Sequence, residues 1–304
     1  MSAEDGLLAA IMAAPDDDAP RLAYADWLTQ QGGPQGELIR VQIELTHLPP
    51  DHVRHAALKF REEQLLAAPQ PLLGPLAPLG LDIRFERGLV SSVTTTASRL
   101  LACAAELFRA APVQELCLKA AAGLLPQLAA RPELAGIRRL FLTFSDLTAP
   151  DVQALAQSPH LGRLVTLNLA RNAIGDDGLR ALVNSAACPR LADLWLAHNS
   201  IGDDGLIALA GAPLLGQLRT LRLNGNPIGD RGIQALATSP HAAGLYGLHL
   251  GATRCTDAGA LALAGSRHLG ALRWLVAKKC PLGAAGENAL RERLGGGFNR
   301  EVLS

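Results

Sequence analysis

The chain has 304 residues, of which 49% are hydrophobic and 18% are charged, a composition that allows a large core and argues against intrinsic disorder. Basic and acidic residues number 28 each, so no charge excess points to nucleic acid or to an anionic membrane. Five cysteines without a Cys-x-x-Cys pair favour neither a disulfide framework nor a structural zinc site, and we expect no metal and no cofactor.

The N-terminal residues lack the pattern of an export signal. Glu4 and Asp5 lie where a secretory signal needs positive charge, and an acidic run follows the short apolar stretch. The chain also holds no uninterrupted apolar run of about 18 residues, the length that a membrane-spanning helix needs. We therefore expect a cytoplasmic protein.

Helical periodicity and helix-start signals predict an all-α segment over residues 1–68. The predicted helices span residues 3–14, 18–31, 35–48 and 51–68. The string LLAAIMAAPDDDAPRLAYADWLTQQGGPQGELIRVQIEL resembles the repeat-companion domain, a short bacterial segment that precedes repeat arrays. The residues that carry the resemblance are Asp17, Asp18, Arg21, Tyr24, Asp26, Trp27, Glu37, Arg40 and Gln42. The resemblance implies no established activity, and these charged residues either recognise a ligand or, as we favour, fix the helices through ion pairs.

Two further segments follow before the main body of the chain. Residues 69–80 contain four prolines and two glycines, which predicts a linker. Residues 81–112 predict a strand around Val90 and Val93 and then an amphipathic helix, together an N-terminal capping unit.

The rest of the chain repeats itself. LNLARNAIGDDGLRAL, which starts at Leu167, recurs as LWLAHNSIGDDGLIAL 27 residues later. Seven units begin at Val113, Ile137, Leu164, Leu191, Leu218, Leu245 and Leu272. Each unit alternates apolar and polar residues and then becomes helix-like, so it predicts a strand, a turn and a helix. A fixed period in the twenties indicates a solenoid, in which each unit buries its apolar face against its neighbours.

The template L-x-x-L-x-L-x-x-N-x-I-G-D-x-G-L-x-A-L resembles the leucine-rich repeat family, in the long, helix-bearing form of ribonuclease inhibitor. It covers residues 113–294 and implies an α/β solenoid with a curved parallel sheet inside and helices outside. The resemblance also implies that a recurring asparagine turns inward and satisfies backbone groups. This slot holds Asn172, Asn199 and Asn226, and Ser145, Thr253 or Cys280 in other units. Residues 295–304 predict a C-terminal cap, with Phe298, Val302 and Leu303 available to close the core.

Two recurring polar patterns have competing interpretations. Asp176, Asp177, Asp203 and Asp204 lie in GDDG elements that suggest either a calcium site or helix N-caps. We favour capping, because a calcium loop needs alternating ligands and a bidentate glutamate. His160, His241 and His268 share one slot after the helix, but neighbouring helices pack roughly 8–10 Å apart, too far for two imidazoles to share a zinc ion. We therefore predict surface histidines rather than ligands.

The outward side chains of the predicted strands are the candidate binding site, since we expect them to line the concave face. Two of the three tryptophans fall on outward positions, where a leucine core does not need them. The predicted partner-binding residues are Phe141, Trp195, Arg222, His249 and Trp274, with Arg139, Arg171, His198 and Lys278 adding positive charge. The alternative is that Trp195 merely packs against Phe141 or Arg222.

These features predict a non-enzymatic, monomeric module that binds a protein partner with an acidic surface, and no nucleic acid or membrane. The chain lacks the nucleophile elbow, the HExxH motif, the Walker loop and the dinucleotide fingerprint, so we expect no catalysis of its own. The alternative is a regulator of another enzyme. The chain is similar in repeat type to the GTPase-activating protein of Ran, which would need a polar rim residue such as Arg171, Asn224 or Arg254. A stoichiometric inhibitor like ribonuclease inhibitor is the other form of this alternative, although that family's many cysteines are missing here.

Overall fold

The computed structural model describes residues 2–299, so the predicted capping residues Val302 and Leu303 lie outside the described part. Its contacts divide the chain into two units. The first unit comprises residues 1–95 and 99–117, and the second comprises residues 96–98 and 118–304. Each unit is described by itself.

The first unit begins with four helices where the periodicity predicts them. They are α1 (Ala3–Ala13), α2 (Ala19–Gln30), α3 (Gln35–His47) and α4 (His55–Leu66). A capping box starts α1, because the Ser2 hydroxyl accepts from the backbone N–H of Asp5 and the Asp5 carboxylate accepts from that of Ser2. Apolar side chains of α1, α2 and α3 form the core of this unit, namely Leu8, Ile11, Tyr24, Ala25, Ile39 and Ile43, together with Leu89.

The Pro/Gly segment that we predicted as a linker is largely helical. It forms α5 (Gln70–Leu73) and a 3-10 helix (Gly74–Leu79), with Leu72 and Leu76 buried. Each short helix has a proline in its first turn, which is compatible with this structure because a first-turn N–H has no acceptor within the helix.

A hairpin and a helix complete the first unit. The predicted strand is present as β2 (Leu89–Thr96), and β1 (Asp82–Glu86), which the sequence analysis did not predict, pairs with it antiparallel. The predicted amphipathic helix is α6 (Ala97–Ala110), with Leu100, Ala104 and Leu107 buried.

The strands of the repeats begin two residues after each of the seven predicted repeat starts. They are β3 (Glu115–Lys119), β4 (Arg139–Phe141), β5 (Thr166–Asn168), β6 (Asp193–Trp195), β7 (Thr220–Arg222), β8 (Gly247–His249) and β9 (Trp274–Val276). The helices that follow them are α7 (Leu125–Ala129), α8 (Ala149–Ala156), α9 (Gly175–Val183), α10 (Asp203–Ala210), α11 (Asp230–Thr238), α12 (Asp257–Gly265) and α13 (Ala284–Leu294). A short 3-10 turn of three glycines (Gly295–Gly297) and β10 (Phe298–Asn299) follow α13, and β10 pairs parallel with β9.

Strands β4 to β9 pair in parallel with a constant offset of one repeat, so equivalent residues lie side by side. The central leucine of each strand is aligned with those of its neighbours and is at most 2% exposed. Burying such a side chain contributes roughly 1.5–3 kcal/mol, so this row of leucines is a major part of the core.

The inward asparagines bond the backbone as the resemblance implies, which confirms that prediction. The Asn226 carboxamide oxygen accepts from the backbone N–H groups of Asn199 and Ile201, and its NH2 group donates to the carbonyls of Leu196 and Leu223, at 2.8–3.1 Å. Where the slot lacks asparagine the bonding is reduced, since Cys280 donates only to the Leu250 carbonyl and shares one contact with Thr253.

The first aspartate of each GDDG element caps the helix of the next repeat. The prediction that it caps its own helix is therefore wrong. Asp203 lies in the first turn of α10, yet its carboxylate accepts from the backbone N–H groups of Gly229 and Gly232 at the start of α11, at 2.7 and 3.0 Å. Asp176 likewise accepts from Gly202 before α10. The reason is that parallel stacking places each carboxylate beside the unsatisfied N–H groups of the neighbouring helix terminus.

The second aspartates, Asp177 and Asp204, are exposed and pair with arginines on the helix surface. The glycine two residues after the first aspartate is required because a larger residue would clash with the aspartate of the preceding repeat. A Cβ atom on Gly232 would lie 2.8 Å from an Asp203 carboxylate oxygen, and one on Gly205 would lie 2.5 Å from that of Asp176.

We expect Asp203→Ala to lower the free energy of unfolding by about 1–2 kcal/mol, because it leaves two N–H groups of α11 without their acceptor. Asp204→Ala, one residue later in an exposed ion pair, is the matched control and should cost less than about 0.5 kcal/mol. Urea unfolding followed by circular dichroism measures both. Equal effects of the two substitutions would contradict capping across repeats.

The recurring histidines are partly exposed, and the polar contacts in their loops come from serine. Ser158, Ser239 and Ser266 accept from the backbone N–H of the histidine two residues on, and each hydroxyl donates to a carbonyl of the preceding repeat. Within residues 2–299, no three His, Cys, Asp or Glu side chains are grouped closely enough to hold a metal ion. In the same range, no helix is long and apolar enough to cross a bilayer.

Candidate functional site

The outward side chains of β4 to β9 form two rows, which together we call the strand face. They occupy the first and third positions of each strand, on either side of the buried leucine. One row runs Arg139, Thr166, Asp193, Thr220, Gly247, Trp274, and the other runs Phe141, Asn168, Trp195, Arg222, His249, Val276. All the large side chains of both rows are half-buried.

Trp195 contacts one side chain on each side of it along the strand face. Its indole meets the Phe141 ring edge to face, with the centroids 5.8 Å apart and the planes at 77°. On the other side the Arg222 guanidinium carbon lies 4.0 Å from the indole centroid. These are favourable aromatic and cation–π geometries. Asn168 lies between Phe141 and Trp195 in the sheet register and is buried, and its carboxamide oxygen accepts from the Ala170 N–H.

Trp274 and His249 form the second half of the cluster. Their rings meet at 84° with centroids 4.6 Å apart. Trp274 is opposite Gly247 in the sheet, and a Cβ atom there would lie 2.3 Å from the indole. Glycine therefore makes the space in which the indole lies over the strand. His249 is the register neighbour of Arg222, so five of the predicted residues form one surface. We call Phe141, Trp195, Arg222, His249 and Trp274 the aromatic platform.

Partial burial changes the acid–base properties of the platform. Burial, and secondly the charge of Arg222, lower the pKa of His249 to about 4, so this imidazole is neutral at neutral pH. Burial also lowers the pKa of Arg222, opposed by the carboxylate of Asp193, but a guanidinium keeps its charge. Arg222 is therefore the charged group of the platform.

Two nitrogen atoms of the platform lack hydrogen-bond partners among residues 2–299. They are Nε of Arg222 and Nε2 of His249, and both atoms are shielded from solvent. Sequence reasoning did not find these unpaired groups, because the shielding depends on how the neighbouring indoles pack.

The remaining predicted residues lie around the platform. Arg139 is half-buried at the start of β4, and Lys278 is half-buried just after β9. Arg171 and His198 are exposed at the strand exits, where the backbone is left-handed, with φ of 58° and 54°. Arg171 lies over Phe144, at 4.9 Å, rather than over the platform.

Phe144 is a surface aromatic that the sequence analysis missed. It is 66% exposed and occupies the same left-handed slot as Arg171, one repeat earlier. Comparing the third residue after each strand would have found it, since Phe144 and Arg171 are both at this position and 27 residues separate the two.

In the N-terminal unit, the charged residues that carry the resemblance have partners within that unit. Arg40 pairs with Asp26 at 2.6 Å, and Glu37 receives two bonds from Arg61, which hold the pKa of the Glu37 carboxyl below its usual range. The carboxamide oxygen of Gln42 accepts from the Gly88 N–H at 2.6 Å. These bonds support a structural role for the residues, in line with the favoured interpretation.

Comparison with known families gives three matches in the second unit. A family model described as Leucine Rich repeat matches residues 164–183, 189–210 and 218–237. These segments contain β5, β6 and β7, the helices α9 and α10, and all but the last residue of α11. No curated protein matches the chain.

Proposed function

We propose that this leucine-rich repeat protein is a non-enzymatic module that binds a protein partner through the aromatic platform of its strand face. Leucine-rich repeats generally mediate protein–protein interactions. The observation that carries the proposal is the row of side chains from Phe141 to Trp274 in a protein with only 4% aromatic residues. Two ring contacts and one cation–π contact join these side chains, and Arg222 and His249 are neighbours in the sheet register. Trp and Arg are the residue types that most often dominate binding energy when a partner buries them.

The contacts within the platform are too weak to be its main purpose, and they favour a binding function. Cross-strand aromatic pairs contribute roughly 0.2–1 kcal/mol, which is little beside the leucine core. The rings, which meet edge to face, are however held in one arrangement before a partner arrives. Ordering such a side chain on binding otherwise costs about 0.5–1.5 kcal/mol, so a preorganised platform loses less entropy.

Charge around the platform indicates an acidic partner surface. Arg139, Arg222 and Lys278 lie on or beside the strand face, and Asp193 is its one carboxylate among the strand positions of β4 to β9. Arg171 extends the basic character to the strand exits. Complementary charge speeds association and excludes basic competitors.

We expect the double substitution Trp195→Ala with Arg222→Ala to weaken partner binding at least 100-fold, because each truncated anchor contributes about 2 kcal/mol at a hot spot. The melting temperature should fall by only a few degrees, since both side chains are half-buried outside the leucine core. Affinity capture from native lysate, followed by titration of the captured protein, gives the affinity.

The control is Ile207→Ala with Arg180→Ala, which removes one large apolar side chain and one arginine from exposed positions on α10 and α9. It should capture the partner as the wild type does. If the platform variant keeps its partner while the control loses it, the helical surface and not the strand face is the binding site.

A further inference from the structure

The loops that lead into strands β5 to β9 form the edge of the repeat array at which the strands begin. They comprise residues 157–165, 184–192, 211–219, 239–246 and 266–273, and we call them the entry loops. We propose that the entry loops bind an extended acidic segment of a partner protein. These residues are not those of the aromatic platform, so the inference does not depend on the proposed function.

The charge of the entry loops has one sign. They contain no aspartate or glutamate and five arginines, all of them exposed, namely Arg163, Arg190, Arg219, Arg267 and Arg273. The carboxylates of helices α8 to α12 lie instead in the first turn of each helix, after the strand has ended. The repeats are therefore polarised, although the whole chain has 28 acidic and 28 basic residues.

The entry-loop arginines lack the carboxylate partners that arginines on the helices have. Arg180 pairs with Asp177 on α9. Arg231 on α11 pairs with Asp204 of the preceding repeat. Within residues 2–299, by contrast, none of the five entry-loop arginines forms an ion pair. Their charge is thus not neutralised inside the described part of the chain and can attract an anionic partner.

Stabilisation of helix C-termini does not account for most of these arginines. A cation stabilises the helix dipole mainly from within the last turn. Helix α8 ends at Ala156, seven residues before Arg163, and helix α9 ends at Val183, seven residues before Arg190. Only Arg267, two residues after α12, lies within one turn of a helix end. The other arginines therefore need another explanation.

The residues just before the last three repeat strands are neighbours through their backbones. The carbonyl of Arg219 accepts from the N–H of Tyr246 at 2.8 Å, and the carbonyl of Tyr246 accepts from the N–H of Arg273 at 2.9 Å. Tyr246 is 48% exposed, so two arginines flank an exposed aromatic residue, and both residue types are enriched at binding hot spots. Because adjacent strands lie about 4.8 Å apart, the five loops extend over about 20 Å, the length of about six extended residues.

The composition of the entry loops favours a carboxylate-rich protein segment over nucleic acid or a membrane. Guanidinium groups bind carboxylates through two parallel N–H donors. The chain has no basic excess, whereas a domain that binds nucleic acid usually has one. In these five loops, which all lie within residues 2–299, Tyr246 is the one large apolar side chain that is exposed, too little for insertion into a bilayer.

The test uses the full-length protein and a fluorescein-labelled peptide of ten glutamates, followed by fluorescence anisotropy. The other probes are a peptide of ten glutamines, a ten-nucleotide oligothymidylate and vesicles that contain phosphatidylserine. The entry variant changes three exposed arginines of the entry loops, with Arg163→Gln, Arg190→Gln and Arg219→Gln. The matched control changes three exposed arginines of the helices, with Arg180→Gln, Arg231→Gln and Arg291→Gln. Both variants lose the same formal charge, and a thermal melt shows that each is folded.

We expect saturable binding of the glutamate peptide, with an affinity that falls as salt is added, and no binding of the glutamine peptide. The entry variant should bind the glutamate peptide about tenfold more weakly than the wild type, because three ion pairs are lost together. The control should stay within about threefold of the wild type, since its arginines lie on the helices and already have partners.

Four results would overturn the inference: no saturable binding of the glutamate peptide, equal weakening by the entry variant and its control, tighter binding of the oligothymidylate or the vesicles, or loss of the peptide only from the platform variant Trp195→Ala with Arg222→Ala. The last result would place the peptide on the strand face. Capture of a partner by the platform is a separate measurement, so either proposal can fail while the other stands.

Discussion

Replacing Asn226 by alanine is expected to lower the free energy of unfolding by about 3–5 kcal/mol. The side chain is 1% exposed and makes four hydrogen bonds to the backbone of its own and the preceding repeat. Alanine supplies none of them, and no space for replacement water is expected in a close-packed turn. Each buried backbone group that loses its partner costs about 1–3 kcal/mol, and partial relaxation keeps the total below the sum.

Asn224→Ala is the matched control for this prediction. It removes the same side chain two residues earlier, at a half-buried position whose carboxamide bonds to nothing within residues 2–299. We expect a change of less than about 0.5 kcal/mol there. Urea unfolding monitored by circular dichroism compares the two variants. A similar, small effect of both would show that the asparagine ladder contributes little to the stability of the repeats.

The second large effect is expected in the N-terminal unit, from Gly88→Ala. Gly88 has φ of +76°, and a Cβ atom there would lie 2.3 Å from the Cα atom of Ile39 in α3. The substitution therefore adds a backbone clash to the cost of a left-handed alanine. We expect a loss of about 3–4 kcal/mol, because overpacking costs typically 1–3 kcal/mol and the strained φ about 1 kcal/mol more.

Gly32→Ala separates these two contributions. Gly32 has nearly the same φ, +79°, but a Cβ atom there would meet nothing within 4 Å. Gly32→Ala should lower the free energy of unfolding by only about 1 kcal/mol, which is the strain of the left-handed backbone alone. Hydrogen exchange of the α3 amides locates the effect of Gly88→Ala in the first unit. Equal losses for the two glycines would mean that α3 moves aside freely and that the close approach is not tight.

The repeats were predicted well because their contacts are set by the period. In a stacked array, each residue's neighbour across the sheet is the residue one repeat away, so aligning the repeats also aligns the spatial neighbours. This is why the start points predicted every repeat strand. The same logic placed Trp195 beside Arg222 in the outward row. The inward role of the Asn226 slot, in contrast, was implied by the resemblance to leucine-rich repeats.

Other features depend on how neighbouring repeats are oriented, which the period alone leaves open. The GDDG aspartates look like caps for their own helices, but the lateral offset of parallel helices brings Asp203 to the terminus of α11. From the sequence, Gly247 is only a missing side chain in the outward row, whereas in the structure the Trp274 indole lies over it. The helical turns over residues 70–79 replace an expected linker, since local proline chemistry is compatible with both.

The sequence by itself determined the repeat length, the strand positions, the buried leucine ladder and the residues that share the outward rows, because these follow from a period and from the alternation of a strand. Only the tertiary structure decided which outward side chains touch, which donors are left unpaired and which helix each aspartate caps. Those properties arise from side-chain directions and from the packing of adjacent repeats, and a one-dimensional pattern does not specify either.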